Sequence, residues 1–331
     1  MPEPIPPALE GQYLGEPSTK GDPFRTRIQV PVAGGELMVA LAGPPPEPGR
    51  PVVLAVHSMS TSHMAYRSAA RELGRCAPHI CLIAPDLRGR GRSAKLPPPF
   101  GIAQHIVDLV AVLDHVGAQR VVLAGHSMGC SFASRFALEH PDRIAAIVLF
   151  DGGLPMVTER EMPDPEPGED EPPGLFDRFE LNCATVEEYL EYWRNHPALA
   201  KFWDEDIEAF VNCDYVQDEN GVRCVANLDA LLRDVQDLIF DGRTWHSVSE
   251  AGVPVRMMRA ERGMFDDDPL MPQRELDQFL RENPHVSVET VPDVNHFTIV
   301  IGGGHASRRV AATLVELAAE TSPQKTTNAA K

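Results

Sequence analysis

The stretch VVLAGHSMGCSFASRFALEH, residues 121–140, decides how this chain folds. Its first four residues, Val121 to Ala124, read as a buried strand, and the apolar spacing after Gly129 predicts a helix over about 128–139. Between them, Gly125-His126-Ser127-Met128-Gly129 forces a tight bend in which bulky side chains at the glycine positions would clash. That bend lifts the Ser127 hydroxyl above the strand ends, with the Met128 N–H turned toward the same side. A serine presented in this way is a candidate nucleophile.

Working outward, short apolar runs alternate with amphipathic stretches. A hairpin is expected from Arg25–Val32 and Glu36–Ala42 about Gly34-Gly35, then strands at Val52–Val56, Ile80–Ala84, Val121–Ala124 and Ala145–Phe150. Helices are expected at about 64–75, 102–116 and 128–139. Apolar strands alternating with helices imply an α/β fold, a mostly parallel sheet covered by helices on both faces. The rhythm breaks after Asp151. Residues 155–177 are dense in Pro, Asp and Glu, a linker or loop composition. Helical patterns follow at 185–195, 197–212 and 227–240. The sheet pattern resumes at Val253–Met258, with a helix at 272–282, a strand at Val286–Val291 and a last helix at 305–320.

The chain therefore divides into a flexible arm (1–24), a core in two pieces (25–153 and 251–320), an inserted helical cap (154–250) and a flexible tail (321–331). Trp193, Trp203 and Trp245 all fall in the insert, as do Tyr189, Tyr192 and Tyr215. Such a concentration suits a cover over an apolar pocket.

A net charge of −18 argues against nucleic acid and anionic membranes as partners, since both are bound through clustered Lys and Arg. It leaves a small, neutral, apolar substrate as the expected ligand. No run approaches the roughly 20 apolar residues of a membrane span, and the proline-rich, acidic start is not expected to act as a secretory signal. Six cysteines are scattered without a CxxC pair, which points to reduced thiols in a cytoplasmic protein and to no metal site.

With GHSMG, the segment LIAPDLRGRGRS at 82–93, and a histidine loop after the last strand, the chain resembles the α/β-hydrolase superfamily from His57 to Asp151 and from Val253 to Gly304. The resemblance implies an acyl-transfer enzyme, an esterase or lactonase, that needs no cofactor. It assigns Ser127 as nucleophile and His296, in Pro-Asp-Val-Asn-His-Phe, as base. It puts the N–H groups of Met59 and Met128 in an oxyanion hole. His57-Ser58 stands where the family carries His-Gly, so Ser58 implies either left-handed strain or a shifted loop, with its hydroxyl a candidate substrate contact. Trp193 and Trp203 are the expected cap contacts. For the triad acid, Asp151 at the end of the sixth strand leads, with the run Asp266 to Asp268 and then Glu261 as alternatives. Serine at the elbow disfavours the epoxide hydrolase and haloalkane dehalogenase branches, which carry aspartate there. Carbon–carbon bond hydrolysis, cofactor-free perhydrolysis and a non-catalytic ligand-binding role stay open.

Overall fold

The structure, a computed structural model, describes residues 21–153, 177–240, 248, 250 and 252–321. The expected tail, most of the arm, the acidic loop through residue 176, and Trp245 lie outside the described residues.

Eight strands form one sheet: β1 (Thr26–Val32), β2 (Gly35–Ala42), β3 (Val52–Val56), β4 (Cys81–Pro85), β5 (Val121–His126), β6 (Ile144–Phe150), β10 (Val255–Ala260) and β11 (Val286–Val291). Their order is β1-β2-β4-β3-β5-β6-β10-β11, with β2 alone antiparallel to the rest. Every residue of β3, β4, β5 and β6 is buried, which is why these strands read as unbroken apolar runs. Successive side chains serve opposite cores. On β5, Val122 and Ala124 join the cluster under α1 (Arg67–Cys76) and α9 (His305–Thr321), while Val121 and Leu123 join the other. That second cluster is completed by α2 (Ile102–His115), α3 (Met128–Glu139) and α8 (Gln273–Glu282).

Residues 21–24, expected within a flexible arm, belong to the fold. Phe24 is fully buried edge-on to His63, and Asp22 pairs with Arg27 at 2.5 Å.

The insertion leaves after β6 and returns at β10, and those two strands pair directly from Ile147↔Val255 to Phe150↔Met258. It holds α4 (Asp177–Glu180), α5 (Val186–Asn195), α6 (Glu205–Val211) and α7 (Leu228–Phe240). It is not purely helical. A three-stranded sheet, β7-β9-β8, runs through Asn182–Cys183, Gly221–Cys224 and Tyr215–Asp218. The two-residue loop Glu219-Asn220 closes β8 on β9, with Asp218 paired to Gly221. Asp204 caps α6 with its Oδ1, accepting from Asp206 and Ile207 N–H at 2.9 and 2.8 Å. Its Oδ2 accepts from Gly303 N–H of the core at 2.7 Å. Arg67 and Arg71 of α1 both bind the buried carboxylate of Asp206. Among the described residues, no helix is long and apolar enough to cross a membrane.

The elbow depends on close backbone approach. A Cβ at Gly129 would lie 2.2 Å from the Val56 carbonyl oxygen, and one at Gly125 would lie 2.4 Å from that of Gly129. Gly129→Ala should therefore lower the unfolding free energy by about 2 kcal/mol or more. Gly74→Ala, in open space on α1, should raise it by about 0.5–1 kcal/mol. Urea titration of both proteins checks this, and a Gly129→Ala protein as stable as wild type contradicts the close approach.

Candidate active site

Ser127 sits between β5 and α3 with φ 54° and ψ −120°, a left-handed conformation that costs a non-glycine residue energy. The surroundings hold it there. Its N–H donates to the Phe150 carbonyl at 3.0 Å, and its carbonyl accepts from Cys130 N–H at 2.9 Å. Asp151, at the end of β6, also has positive φ, at 44°. Its N–H donates to the Met258 carbonyl at 2.7 Å, and its Oδ1 accepts from Ala260 N–H at 2.9 Å.

His296 follows β11 on a loop that returns over the strand ends. Its Nδ1 lies 2.7 Å from Asp151 Oδ2 and its Nε2 lies 3.0 Å from Ser127 Oγ. The carboxylate can only accept, so Nδ1 carries the proton and Nε2 accepts from the serine hydroxyl. Asp151 and His296 are fully buried, whereas Ser127 keeps partial exposure. A hydroxyl held against such an imidazole can pass its proton to Nε2 while the buried carboxylate stabilises the cation formed.

The other candidate acids lie elsewhere. Asp266 pairs with Arg262 at 2.5 Å and Lys201 at 3.2 Å, and Asp267 caps its own turn through Phe265 N–H. Glu261 accepts from Asp293 N–H at 2.7 Å, bracing the histidine loop from outside.

Ser58 is not among the four described non-glycine residues with positive φ, so no left-handed strain arises there. Its carbonyl instead accepts from His57 Nδ1 at 2.7 Å, while His57 Nε2 accepts from Leu87 N–H at 2.9 Å. The next carbonyl, that of Met59, accepts from Arg90 Nε at 2.8 Å. Met128 opens α3, where N–H groups have no partner within the helix.

A cavity of about 30 Å³ lies beside this cluster. Its walls include Ser60 and Thr61 of the loop after β3, Phe297 after His296, and Trp193, His196 and Arg178 of the insertion. Trp193 is thus a wall residue. Ser58 and Trp203, expected as substrate contacts, are not among the described wall residues; Trp203 packs instead beneath Arg194, 5.8 Å from ring centre to guanidinium. The Arg178 guanidinium stacks on Trp193 at 4.9 Å, bonds Ser60 Oγ at 3.1 Å and pairs with Asp214. Among the described residues, no three or more His, Cys, Asp or Glu gather as a metal site.

Several supporting residues carry no sequence signal of their own. His126 donates from Nε2 to the His296 carbonyl at 2.8 Å. Asn295 binds the insertion through Nδ2 to the Ala198 carbonyl at 2.7 Å, and its Oδ1 accepts from Phe297 and Thr298 N–H. Cys130, close behind Ser127, is a buried thiol donating to the Gly125 carbonyl, with burial pushing its pKa well up.

With this geometry in view, the match to known proteins is decisive. Residues 51–302 match the family model described as alpha/beta hydrolase fold. The chain belongs to the α/β-hydrolase family. It is similar to an "Epoxide hydrolase A" of Mycobacterium tuberculosis, 33% identical over 140 residues, covering 42% of this chain and 41% of that protein. It is also similar to "Lipase LipV" of the same organism, 37% identical over 99 residues, or 30% of this chain and 36% of that protein. The matches therefore span well under half the length of these curated relatives. Among solved structures, a "Thioesterase Domain From Curacin Biosynthetic Pathway" shares the fold, with TM-score 0.66 and 18% identity over 87% of this chain and 98% of that one.

Burial lowers the pKa of three histidines around the α/β-hydrolase site. His57 falls to about 4 even though Asp86 pulls it upward, His196 to about 4 with Arg178 adding to the effect, and His126 to about 3 with His296 adding. In the unfolded chain each binds a proton near pH 6.5. Between about pH 6.5 and 4 the unfolded chain thus holds more protons, and stability falls as the solution is acidified through that window. Above it, these groups contribute no slope. His57→Gln should flatten part of the fall in melting temperature between pH 6.5 and 4 while lowering the melting temperature at pH 8. An unchanged slope contradicts a neutral buried His57.

Proposed function

We propose that this α/β-hydrolase cleaves carboxylic esters or lactones of small, neutral, largely apolar substrates through an acyl-enzyme on Ser127. The unbroken relay from Asp151 Oδ2 to His296 at 2.7 Å and from His296 Nε2 to Ser127 Oγ at 3.0 Å carries the reading. Ser127 Oγ attacks the substrate carbonyl carbon as its proton passes to His296 Nε2. The oxyanion is received by the N–H groups of Met59 and Met128. Collapse expels the alcohol, which takes the proton from Nε2. Water, deprotonated by the same imidazole, then attacks the acyl-enzyme, releasing the acid and restoring Ser127. No cofactor enters these steps.

Elementary chemistry favours esters over the epoxides named for one relative. A serine alkoxide opening an epoxide leaves an ether, which water and an imidazole do not cleave, whereas a carboxylate leaves a hydrolysable ester. The site presents the alkoxide.

The cavity supports a neutral substrate. The Arg178 charge is offset by Asp214, and His196 is uncharged near neutrality because burial holds it at about 4. His196 Nδ1 accepts from Ala198 N–H at 3.2 Å, leaving the proton on Nε2. Aromatic walls with such N–H donors suit an apolar group bearing an acceptor oxygen. About 30 Å³ accommodates only one or two waters, so a bulky group must displace the side chains of the insertion on entry.

A graded series of p-nitrophenyl esters and lactones tests the proposal. Turnover should be lost by a factor of about 10⁴ or more in Ser127→Ala and by about 10⁴ in Asp151→Asn, with Asp268→Asn close to wild type. Trp193→Ala should change the preference between bulky and acetyl esters more than Trp203→Ala does. A tenth of wild-type rate retained in Ser127→Ala contradicts the serine mechanism. A crippled Asp268→Asn beside an active Asp151→Asn reassigns the acid.

A further inference from the structure

Two consecutive carbonyls of the loop after β3 are held from different directions. The planar Ser58–Met59 peptide places the Met59 N–H opposite the Ser58 C=O, and that oxygen accepts from His57 Nδ1 at 2.7 Å. The next oxygen, Met59 O, accepts from Arg90 Nε at 2.8 Å. The Met59 N–H therefore sits between two anchors, one a neutral imidazole and the other a guanidinium with no exposure to solvent.

Arg90 is itself held from the insertion. Its Nη1 donates to the Arg88 carbonyl at 3.0 Å and to Asp234 Oδ2 of α7 at 2.5 Å. Asp234 is also fully buried and accepts from His105 Nε2 at 3.0 Å. The His105 ring stacks on Phe132 of α3, centroids 4.7 Å apart at 25°. Phe132 lies one turn into α3, the helix that begins at Met128. The seat of α7 is close. Asn227 N–H donates to the Gly89 carbonyl at 2.8 Å, and a Cβ on Gly89 would meet Ala230 Cβ at 2.4 Å.

A buried ion pair is a poor stabiliser, because apolar residues of similar volume fill the same space without desolvating two charges. What the guanidinium offers is geometry. Its rigid fork directs Nε at one carbonyl and Nη1 at a carboxylate at the same time, which a lysine ammonium cannot reproduce. Burial works against the ionised form of Asp234, but His105 and Arg90 outweigh it and hold the carboxyl below its ordinary range.

We propose that Arg90 is a positioning residue for the oxyanion loop, set by Asp234 of the insertion, so that the seating of α7 and the placement of the Met59 N–H are one event. This rests on the assignment of Met59 to the oxyanion hole. With α7 seated, Asp234 fixes the guanidinium and the guanidinium fixes the Met59 carbonyl. With α7 displaced, the loop loses one of its two anchors.

The test separates positioning from plain structure. Arg90→Met/Asp234→Leu removes both charges together and leaves an apolar pair of similar bulk. Wild type and this variant are compared for kcat and KM on a p-nitrophenyl ester, for affinity toward a trifluoromethyl ketone, and for melting temperature. The ketone's serine adduct bears an oxyanion where the reaction does. The double variant should melt near wild type, lose kcat by about tenfold to a hundredfold, part of the ~10²–10³ lost with a whole oxyanion donor, and change KM less than about threefold. Its ketone affinity should fall by the same factor as kcat/KM. Arg90→Lys should resemble the double variant. Wild-type kcat and ketone affinity in a folded double variant overturn the inference. Should the double variant not fold, Asp234→Asn, which keeps the side-chain volume, is read by the same ratio and decides in the same way. Ser127→Ala measured alongside separates the two layers: an active Ser127→Ala overturns the serine reading itself, whereas an inactive one beside unaffected Arg90 and Asp234 variants overturns the positioning role alone.

Discussion

The Asp151 carboxylate ties together three segments that lie far apart in the chain. Its Oδ1 takes the Ala260 N–H of β10, its Oδ2 takes His296 Nδ1, and its own strand is bonded through Phe150 O to the Ser127 N–H. The first of these bonds spans β6 and β10, which lie side by side from Ile147↔Val255 onward. Because the carboxylate is fully buried, its two oxygens have no water to turn to and must find protein donors. The same burial lets a single carboxylate govern both where the imidazole stands and which nitrogen holds its proton.

What was legible in the residues follows from how local the physics is. Gly125-His126-Ser127-Met128-Gly129 announces a bend because strand, turn and helix follow one another within twenty residues, and at Gly125 an added Cβ would lie 2.4 Å from the carbonyl oxygen of Gly129 in the same turn. Strand β3 read correctly to the residue, since a buried apolar run bounded by turn residues needs no distant information; β11 did too, although only its two end residues are buried. The acid was harder. Asp151, Glu261 and the run Asp266 to Asp268 all follow strand ends, and only the spatial order of β6, β10 and β11 distinguishes a carboxylate that meets His296 from those that brace or border its loop. The β8–β9 hairpin was missed because each strand is four residues long, too short for its alternation to stand out, and its loop is only Glu219-Asn220. Ser58 raised an expectation of left-handed strain from residue type alone. The backbone avoids it and uses the Ser58 carbonyl as an anchor for His57.

The buried arginines were the least legible of all. Arg90, in a segment crowded with arginine, and Arg178, beyond an acidic stretch, look like surface charges in sequence. Each is withdrawn from water by a carboxylate of the insertion, Asp234 and Asp214 respectively. The insertion shares a hydrophobic cluster with the core through residues such as Tyr189, Ile207 and Phe210, and is also bound by buried ionic and polar contacts: Asp206 with Arg67 and Arg71, Asp204 with Gly303, Asp234 with Arg90 and His105. Such contacts fix orientation more than they add stability. On the proposed mechanism that is their use: they set a largely aromatic cover over a small neutral cavity and hold the loop that would receive the oxyanion.

The central claim, that Ser127 is an activated nucleophile, is tested most directly by its own chemistry. The protein is treated at neutral pH with a fluorophosphonate, which loses fluoride as a serine oxygen bonds to phosphorus, and its intact mass and peptide map are then read. The account predicts one stoichiometric adduct, carried on the peptide containing Ser127, with labelling abolished when the protein is first denatured. No adduct on the folded protein, or an adduct on any residue other than Ser127, would contradict it.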